Sequence, residues 1–369
     1  MSPLQSVVLD GSPYQRGVAH GEQFSGAIER NVGTYFEYFA DHGVDEETAR
    51  DQAERFIPLI EEENEDYAEE MRGVADGSGV SLEEVALVNV RHTIIYGAFA
   101  TEAVDDASLD GSADIVDGCT SYGLEPRVTA DAHTYLGQNW DWLAPIERFL
   151  MGVRQDEGPD FLTLTEAGMV GGKFGLNEHG IGYVVNGLST PTDGEDPFRK
   201  PSHVRGREIL EADRLDTAIE PIIDGKRPCS RNYMVGHADG LVLDIETTPD
   251  TVQYLYPEDG LLTHANHFEK RANVDSKLET LISHTVCRGM RIERLFSDIG
   301  DGITVDDIQT VLRDHFDKPN SICSHVDERS DDRVQTNASI IMDLSERRLL
   351  AADGPPCHND YHEYPVGGA

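Results

Sequence analysis

The chain has 369 residues, with 69 Asp or Glu against 30 Lys or Arg, giving a formal net charge of −39. That length suits one large domain or two ordinary ones, and that charge excludes nucleic acid as a partner, because nothing would neutralise phosphates. The acid is spread along the whole sequence and only six lysines occur; such a surface is a device of salt-adapted proteins, so a salty cytoplasm is the expected setting.

The N-terminus carries neither a basic run nor an apolar stretch of signal length, and no window reaches the apolar length of a membrane helix. No membrane association is expected. Up to about residue 98 the reading is helical. Tyr14 to Asp41 places Phe24, Ile28, Val32, Phe36 and Phe39 at helical spacing, Glu46 to Val74 continues it, and Ser81-Leu82-Glu83-Glu84 forms a capping box for a third helix. Thr101 to Asp117 is small, acidic and turn-rich, an expected exposed loop.

From Cys119 the pattern changes to short strands: 135–142, 161–166, 173–176, 182–186, 232–237, 241–246 and 251–255. Helices return at 204–219, 278–297 and 305–314, and two late strands at 338–344 and 348–352 close the set. Separate runs of helices and strands indicate a layered α+β architecture rather than alternating βαβ units. Asp327–Arg333 reads as a charged, mobile loop.

The chemistry concentrates at Asp117-Gly118-Cys119-Thr120-Ser121. If the Gly118–Cys119 bond breaks, Cys119 becomes an N-terminus that carries a thiol and a free amine. That residue is then nucleophile and base in one, because an α-amine titrates near neutrality, at about 7.7–8.0. Glycine at 118 leaves the scissile carbonyl uncrowded and tolerates strained angles. The five cysteines (Cys119, Cys229, Cys287, Cys323, Cys357) are scattered without a CxxC pair, which favours one reactive thiol over zinc or a disulfide framework. His264 and His267 form a lone HxxH without a further ligand, so no metal is expected.

These motifs resemble the acyl-CoA:6-aminopenicillanic acid (isopenicillin N) acyltransferase family of cysteine-type N-terminal-nucleophile (Ntn) hydrolases. The likeness begins at Gly11-Ser12-Pro13-Tyr14 with Gly17, His20 and Gly21, and continues through Asp117-Gly118-Cys119-Thr120 and Gly137-Gln138-Asn139-Trp140-Asp141. It extends over Gly175-Leu176-Asn177, Asn186, Asn232-Tyr233, Glu246-Thr247-Thr248-Pro249, His264-Ala265-Asn266-His267, Ser321-Ile322-Cys323 and Thr336 to Met342. Each motif is short; their order and spacing carry the resemblance.

The resemblance implies a four-layer αββα sandwich with two antiparallel sheets between helical layers. It implies cleavage into 1–118, a helical small subunit or propeptide that stays bound, and 119–369, the catalytic part. Gly118, Cys119 and Thr120 would form the processing site. Cys119 would form a thioester, Asp141 would hold the freed amine, and Asn232 would stabilise the oxyanion. Arg288 would anchor Asp141 or a substrate carboxylate, with Arg291 the alternative if the alignment slips. Asn186 and Tyr122 are lesser candidates for oxyanion support or pocket shape, and the segments 143–146 and 190–200 are the expected pocket loops.

The partner would be a small-molecule amide or acyl donor. No cofactor is implied beyond acyl-CoA as that donor. Water as second nucleophile gives a hydrolase and an amine gives an acyltransferase, and the salt-adapted composition favours an amidohydrolase or peptidase-like role over antibiotic synthesis. Two other classes stand beside this one: an inactive relative that binds amides or scaffolds a partner, and a papain-like thiol hydrolase that needs no chain break.

Overall fold

A computed structural model describes residues 3–104, 118–270, 274–327 and 333–367. In chain order the elements are β1 (Ser6–Leu9), α1 (Pro13–Asp41), α2 (Glu46–Glu63), α3 (Glu65–Ser78), α4 (Leu82–Val104), β2 (Thr120–Leu124), β3 (Tyr135–Leu143), β4 (Arg148–Val153), β5 (Phe161–Glu166), β6 (Phe174–Asn177) and β7 (Ile181–Gly187). There follow α5 (Ser202–Leu210), α6 (Leu215–Ile223), β8 (Arg231–His237), β9 (Leu241–Thr247), β10 (Val252–Leu255), β11 (Leu261–His264), α7 (Leu278–Leu281), α8 (His284–Ile299), α9 (Val305–Leu312), β12 (Val334–Asp343), β13 (Arg348–Asp353) and β14 (His362–Pro365).

Two sheets face each other: an eight-stranded one in the order β1-β4-β5-β6-β7-β8-β9-β10, and a six-stranded one in the order β11-β2-β3-β12-β13-β14. Helices α5 and α6 lie over β7 and β8, α8 lies over β2 and β11, and β2 and β3 meet β7 and β8 between them. This is the expected αββα sandwich. Among the named strands the pairing is antiparallel except for β1 on β4, which run parallel. Among the described residues no helix is long and apolar enough to cross a membrane.

The helical reading of the first hundred residues holds with local corrections. Asn64 ends α2 and caps α3, its side chain accepting from Tyr67 N, so the run 46–74 divides there. The Ser81–Glu84 capping box forms as read, with Ser81 N donating to Glu84 Oε2 at 2.9 Å. Thr101–Val104 belong to α4 rather than a loop; residues 105–117, and 328–332 of the charged segment 327–333, lie outside the described residues. Helix 204–219 divides because Asn177 Nδ2 donates to the carbonyls of Leu210 and Ala212, satisfying the end of α5. Helix 278–297 breaks at Ile282–Ser283, so that α8 begins afresh at His284.

Glycine permits the closest helix contact. A Cβ on Gly17 of α1 would lie 2.0 Å from the carbonyl oxygen of Glu70, and one on Gly73 of α3 would lie 2.2 Å from that of Tyr14. Such distances exclude any side chain. Beside that contact, the buried Glu70 carboxylate takes Arg16 from α1 at 3.1 Å and Arg207 from α5 at 3.3 Å, which ties the N-terminal helices to the layer over the eight-stranded sheet.

Candidate active site

Strand alternation sends successive side chains to opposite faces, and β2 shows what this does. Thr120 and Tyr122 point outward to α8, while Cys119 and Ser121 point into the seam between the sheets. Ser121 pairs across the sheet with Gln138 on one side and His264 on the other. On the facing sheet, Asn186, Asn232 and Glu246 are successive cross-strand partners. Two polar rows therefore meet face to face. Ser121 Oγ donates to Asn186 Oδ1 (2.6 Å), Gln138 Nε2 donates to Val185 O (2.7 Å), and His264 Nε2 lies 3.0 Å from Glu246 Oε1.

The Gly118–Cys119 junction sits at one end of these rows. The carbonyl oxygen of Cys119 accepts from Arg288 Nη1 at 2.7 Å and from Asn186 Nδ2 at 3.1 Å. Arg288 Nη1 also donates to Thr120 Oγ1 (2.7 Å), and Nη2 to Asn266 Oδ1 (3.0 Å). On the outer side, the Asp141 carboxylate presses against Gly118, where a Cβ would stand 2.8 Å from Asp141 Oδ2. Asp141 Oδ1 accepts from Thr336 Oγ1 at 2.6 Å, and Thr336 faces Asp141 in the β12–β3 ladder, next to a bulge. The thiol thus opens inward, while the Asp141 carboxylate abuts the preceding residue, Gly118.

The Cys119 thiol borders a cavity lined by Arg91, His92, Gln138, Trp140, Trp142, Lys173, Val185, Gly187 and Arg231. Its charge is organised around Glu166, which is fully buried. Arg91 (2.5 Å), Lys173 (2.8 Å) and the Tyr35 hydroxyl (2.5 Å) all reach that carboxylate. Burial alone would raise the pKa of Glu166, but Arg91 and Lys173 outweigh it and hold the carboxyl at about 2. Burial and the Arg91 charge push Lys173 down to about 7; its ammonium sits 4.1 Å from the centre of the Trp140 ring. Removing Glu166 would strand two cations, at a cost of about 3–5 kcal/mol. Arg231, by contrast, has no acid partner among the described residues.

At the other end of the rows, burial would lower the pKa of His264, but the Asp244 and Glu246 carboxylates overcome this and raise it to about 9. Burial lifts Asp244 to about 7. Glu246 also accepts from the backbone nitrogens of Glu269 (2.5 Å) and Lys270 (3.2 Å), so this group shapes the turn that brings Asn266 to Arg288.

The structure gathers Asp141, Asn186 and Arg288 around the stretch Gly118-Cys119-Thr120, with Asp141 against Gly118 and the other two on the Cys119 carbonyl. Asn232 stands beside Asn186, its Nδ2 3.5 Å from Asn186 Oδ1 and its own Oδ1 without a partner. Two candidates fall away. Tyr122 points out of the seam and packs on Phe296, since one residue along a strand reverses the face. Arg291 pairs with Asp314 at 2.7 Å and lies over Phe316, one helical turn from the junction. Loop 190–200 borders a separate groove with Arg55 and Thr93, through Gly194, Pro197 and Phe198. His264 and His267 bind separate partners, the latter Thr285 Oγ1 and Glu269. Sequence reasoning assigned no role to Thr336, Asn266 or the Arg91–Glu166–Lys173 group. Only the Thr336 and Asn266 motifs signalled anything.

The fold and this seam define a class, the Ntn-type α+β sandwich. A variant of conjugated bile acid hydrolase from Clostridium perfringens superimposes with a TM-score of 0.50 at 13% identity, covering 68% of this chain and 93% of that one. Residues 128–354 match the family described as acyl-coenzyme A:6-aminopenicillanic acid acyl-transferase, and the chain belongs to that family. The 40 kDa form of acyl-coenzyme A:6-aminopenicillanic-acid-acyltransferase from Emericella nidulans is 27% identical over 365 residues, 96% of this chain and 94% of that protein. Protein dcd1A of Dictyostelium discoideum is 25% identical over 260 residues, 62% of this chain and 54% of that protein.

Proposed function

We propose that the chain is a self-processing enzyme that cleaves or transfers acyl groups at carbon–nitrogen amide bonds through a thioester on Cys119. The observation that carries this reading is the clasp on the Gly118–Cys119 junction: Arg288 and Asn186 on the Cys119 carbonyl, Asp141 against Gly118. In processing, the Cys119 sulfur attacks the Gly118 carbonyl carbon and the peptide nitrogen leaves as the α-amine, taking a proton. Water then opens the thioester, giving a carboxylate on Gly118 and a free Cys119. Segment 1–118 becomes the small subunit and 119–369 the large one.

In turnover, the amine of Cys119 takes the thiol proton and Asp141 orients the resulting ammonium. The thiolate attacks the substrate carbonyl and the leaving amine collects the proton. Asn232, whose Nδ2 has only a loose contact with Asn186 and also interacts with Asp244, would donate to the oxyanion. Water or an amine completes the cycle, the former being favoured for this salt-adapted, cytoplasmic chain; acyl-CoA serves as donor if an amine is acylated. Trp140, Trp142, Val185 and the buried Arg231 line the cavity beside the thiol, whose free volume of about 10 Å³ admits no more than a water-sized group as it stands.

Intact-mass measurement of purified protein in high salt tests the central step. Two fragments divided between 118 and 119 are expected from the native sequence, and one chain from Cys119→Ala. Full-length protein that still turned over amides would instead favour a thiol–histidine hydrolase with His92, which lines the same cavity. Burial first, then the charges of Arg231, Arg91 and Lys173, hold His92 well below the ordinary histidine value, which makes it a poor base. Full-length inert protein would leave the binding or scaffolding role.

A further inference from the structure

Behind the junction, on the outer side of the six-stranded sheet, four side chains from two distant stretches converge. They are His315, Cys323 and His325 from the segment after α9, and Cys357 from the segment after β13, with donor atoms all within 4.8 Å of one another. His325 Nε2 lies 3.1 Å from His315 Nε2, 3.5 Å from Cys323 Sγ and 3.4 Å from Cys357 Sγ. One imidazole nitrogen has a single proton or a single lone pair, so it cannot satisfy three such neighbours by hydrogen bonding. A cation at the centre can, because each donor then directs one lone pair to a common point.

We propose that His315, Cys323, His325 and Cys357 form a tetrahedral zinc site. Zinc bonds of about 2.3 Å to sulfur and about 2.0 Å to nitrogen place neighbouring donors roughly 3.3–3.8 Å apart, and the three separations around His325 already fall close to that range. The donor set contains no carboxylate oxygen, which selects against magnesium and calcium. Two thiolates balance the charge of the ion. His315 is exposed and Cys323 buried, so the ion has an entry from solvent and a seat inside. Spacing in the sequence gave no sign of this site, because there is no CxxC and the fourth donor follows 32 residues after the third.

The site pins the segment that supports the junction. Between Cys323 and His325, Ser324 N donates to Thr336 Oγ1 at 2.9 Å, and the same hydroxyl donates to Asp141. Asn139 Nδ2 grips the carbonyls of Leu312 and Ile322 at 2.8 Å each. Zinc would therefore hold Thr336 and Asp141 in place without touching substrate, and it binds whether or not the chain is cut.

Zinc content of the full chain, purified without a metal-affinity step and with thiols kept reduced, tests this directly. About one zinc per chain is expected in the native protein and in Cys119→Ala, falling at least tenfold in the double variant Cys323→Ser/Cys357→Ser. Should that double variant fail to fold, native protein stripped by chelator and titrated with Co2+ decides the matter. Thiolate-to-cobalt charge transfer saturating at one equivalent supports the site. Native protein that holds neither zinc nor cobalt, or a Cys323–Cys357 disulfide in reduced material, overturns it.

Discussion

The two faces of the six-stranded sheet hold their polar groups in different ways. The outer face under α8 and α9 sets an apolar cluster of Tyr122, Tyr135, Ile292, Phe296, Ile308 and Ile341 beside the polar groups Thr120, Asn139, Asp141 and Thr336. The inner face buries Ser121, Gln138, His264 and, opposite them, Asn186, Asn232 and Glu246. A buried polar group is costly unless paired, and most of these side chains are paired with one another. The same strand, β2, serves both faces on alternate residues. At β2, strand parity therefore separates Cys119 and Ser121 from the side chains that face α8, and groups on the two faces should respond differently to change.

The largest contrast is expected at Arg288→Ala, which strips partners from Cys119 O, Thr120 and Asn266 at once. Loss of a buried charged hydrogen-bond hub costs about 3 kcal/mol or more, and processing, followed by intact mass against time, should slow at least a hundredfold. Arg291→Gln, one turn further on, should stay within about 0.5 kcal/mol by urea denaturation and process normally, since its pair with Asp314 is partly solvated. Equal effects at the two positions would erase the distinction drawn here.

The His264 group gives a pH signature of similar size. Its folded pKa lies above the ordinary value, so the stability it lends is complete below about 6.5 and is lost as pH rises through about 9. The corresponding contribution of Asp244 is lost lower, between about 4 and about 7. Urea midpoints at about pH 6 and about pH 10 should therefore differ in the native protein, and His264→Gln should remove up to about 3 kcal/mol of that difference. An unchanged slope would show that His264 carries no raised pKa.

Thr336→Val removes one donor to Asp141 and one acceptor for Ser324 N, for about 2 kcal/mol. Processing should slow roughly tenfold, with recovery in Thr336→Ser; a stability loss without slower processing would confine Thr336 to folding. Tyr122→Phe should do least. The hydroxyl is buried without a partner among the described residues, so stability should hold or rise slightly, and steady-state turnover should stay within about twofold.

Much of this was legible in the letters because helices and strands of this chain repeat clean periods. Phe161–Glu166 reads as a strand and is one, and the motifs around Cys119, Asp141, Asn186 and Arg288 do meet. What stayed hidden depended on distant partners. Ser6–Leu9 is too short to declare itself, and it becomes a strand only by pairing with Leu150–Val153. Arg148–Val153 is buried on both faces and so lacks the alternation that marks a strand. Tyr122 was misplaced because parity cannot be fixed before the register is known. The Arg91–Glu166–Lys173 group joins α4, β5 and the bend before β6, with no shared spacing.

The parallel pairing of β1 with β4 bears on what a nick after residue 118 would leave behind. The first hundred residues supply an edge strand to the large sheet, and from α1 and α4 come Tyr35 and Arg91, which close over Glu166. A severed chain would therefore remain a single hydrodynamic particle with its halves in equal number. They would co-elute from any sizing column and come apart only where denaturant dissolves the whole.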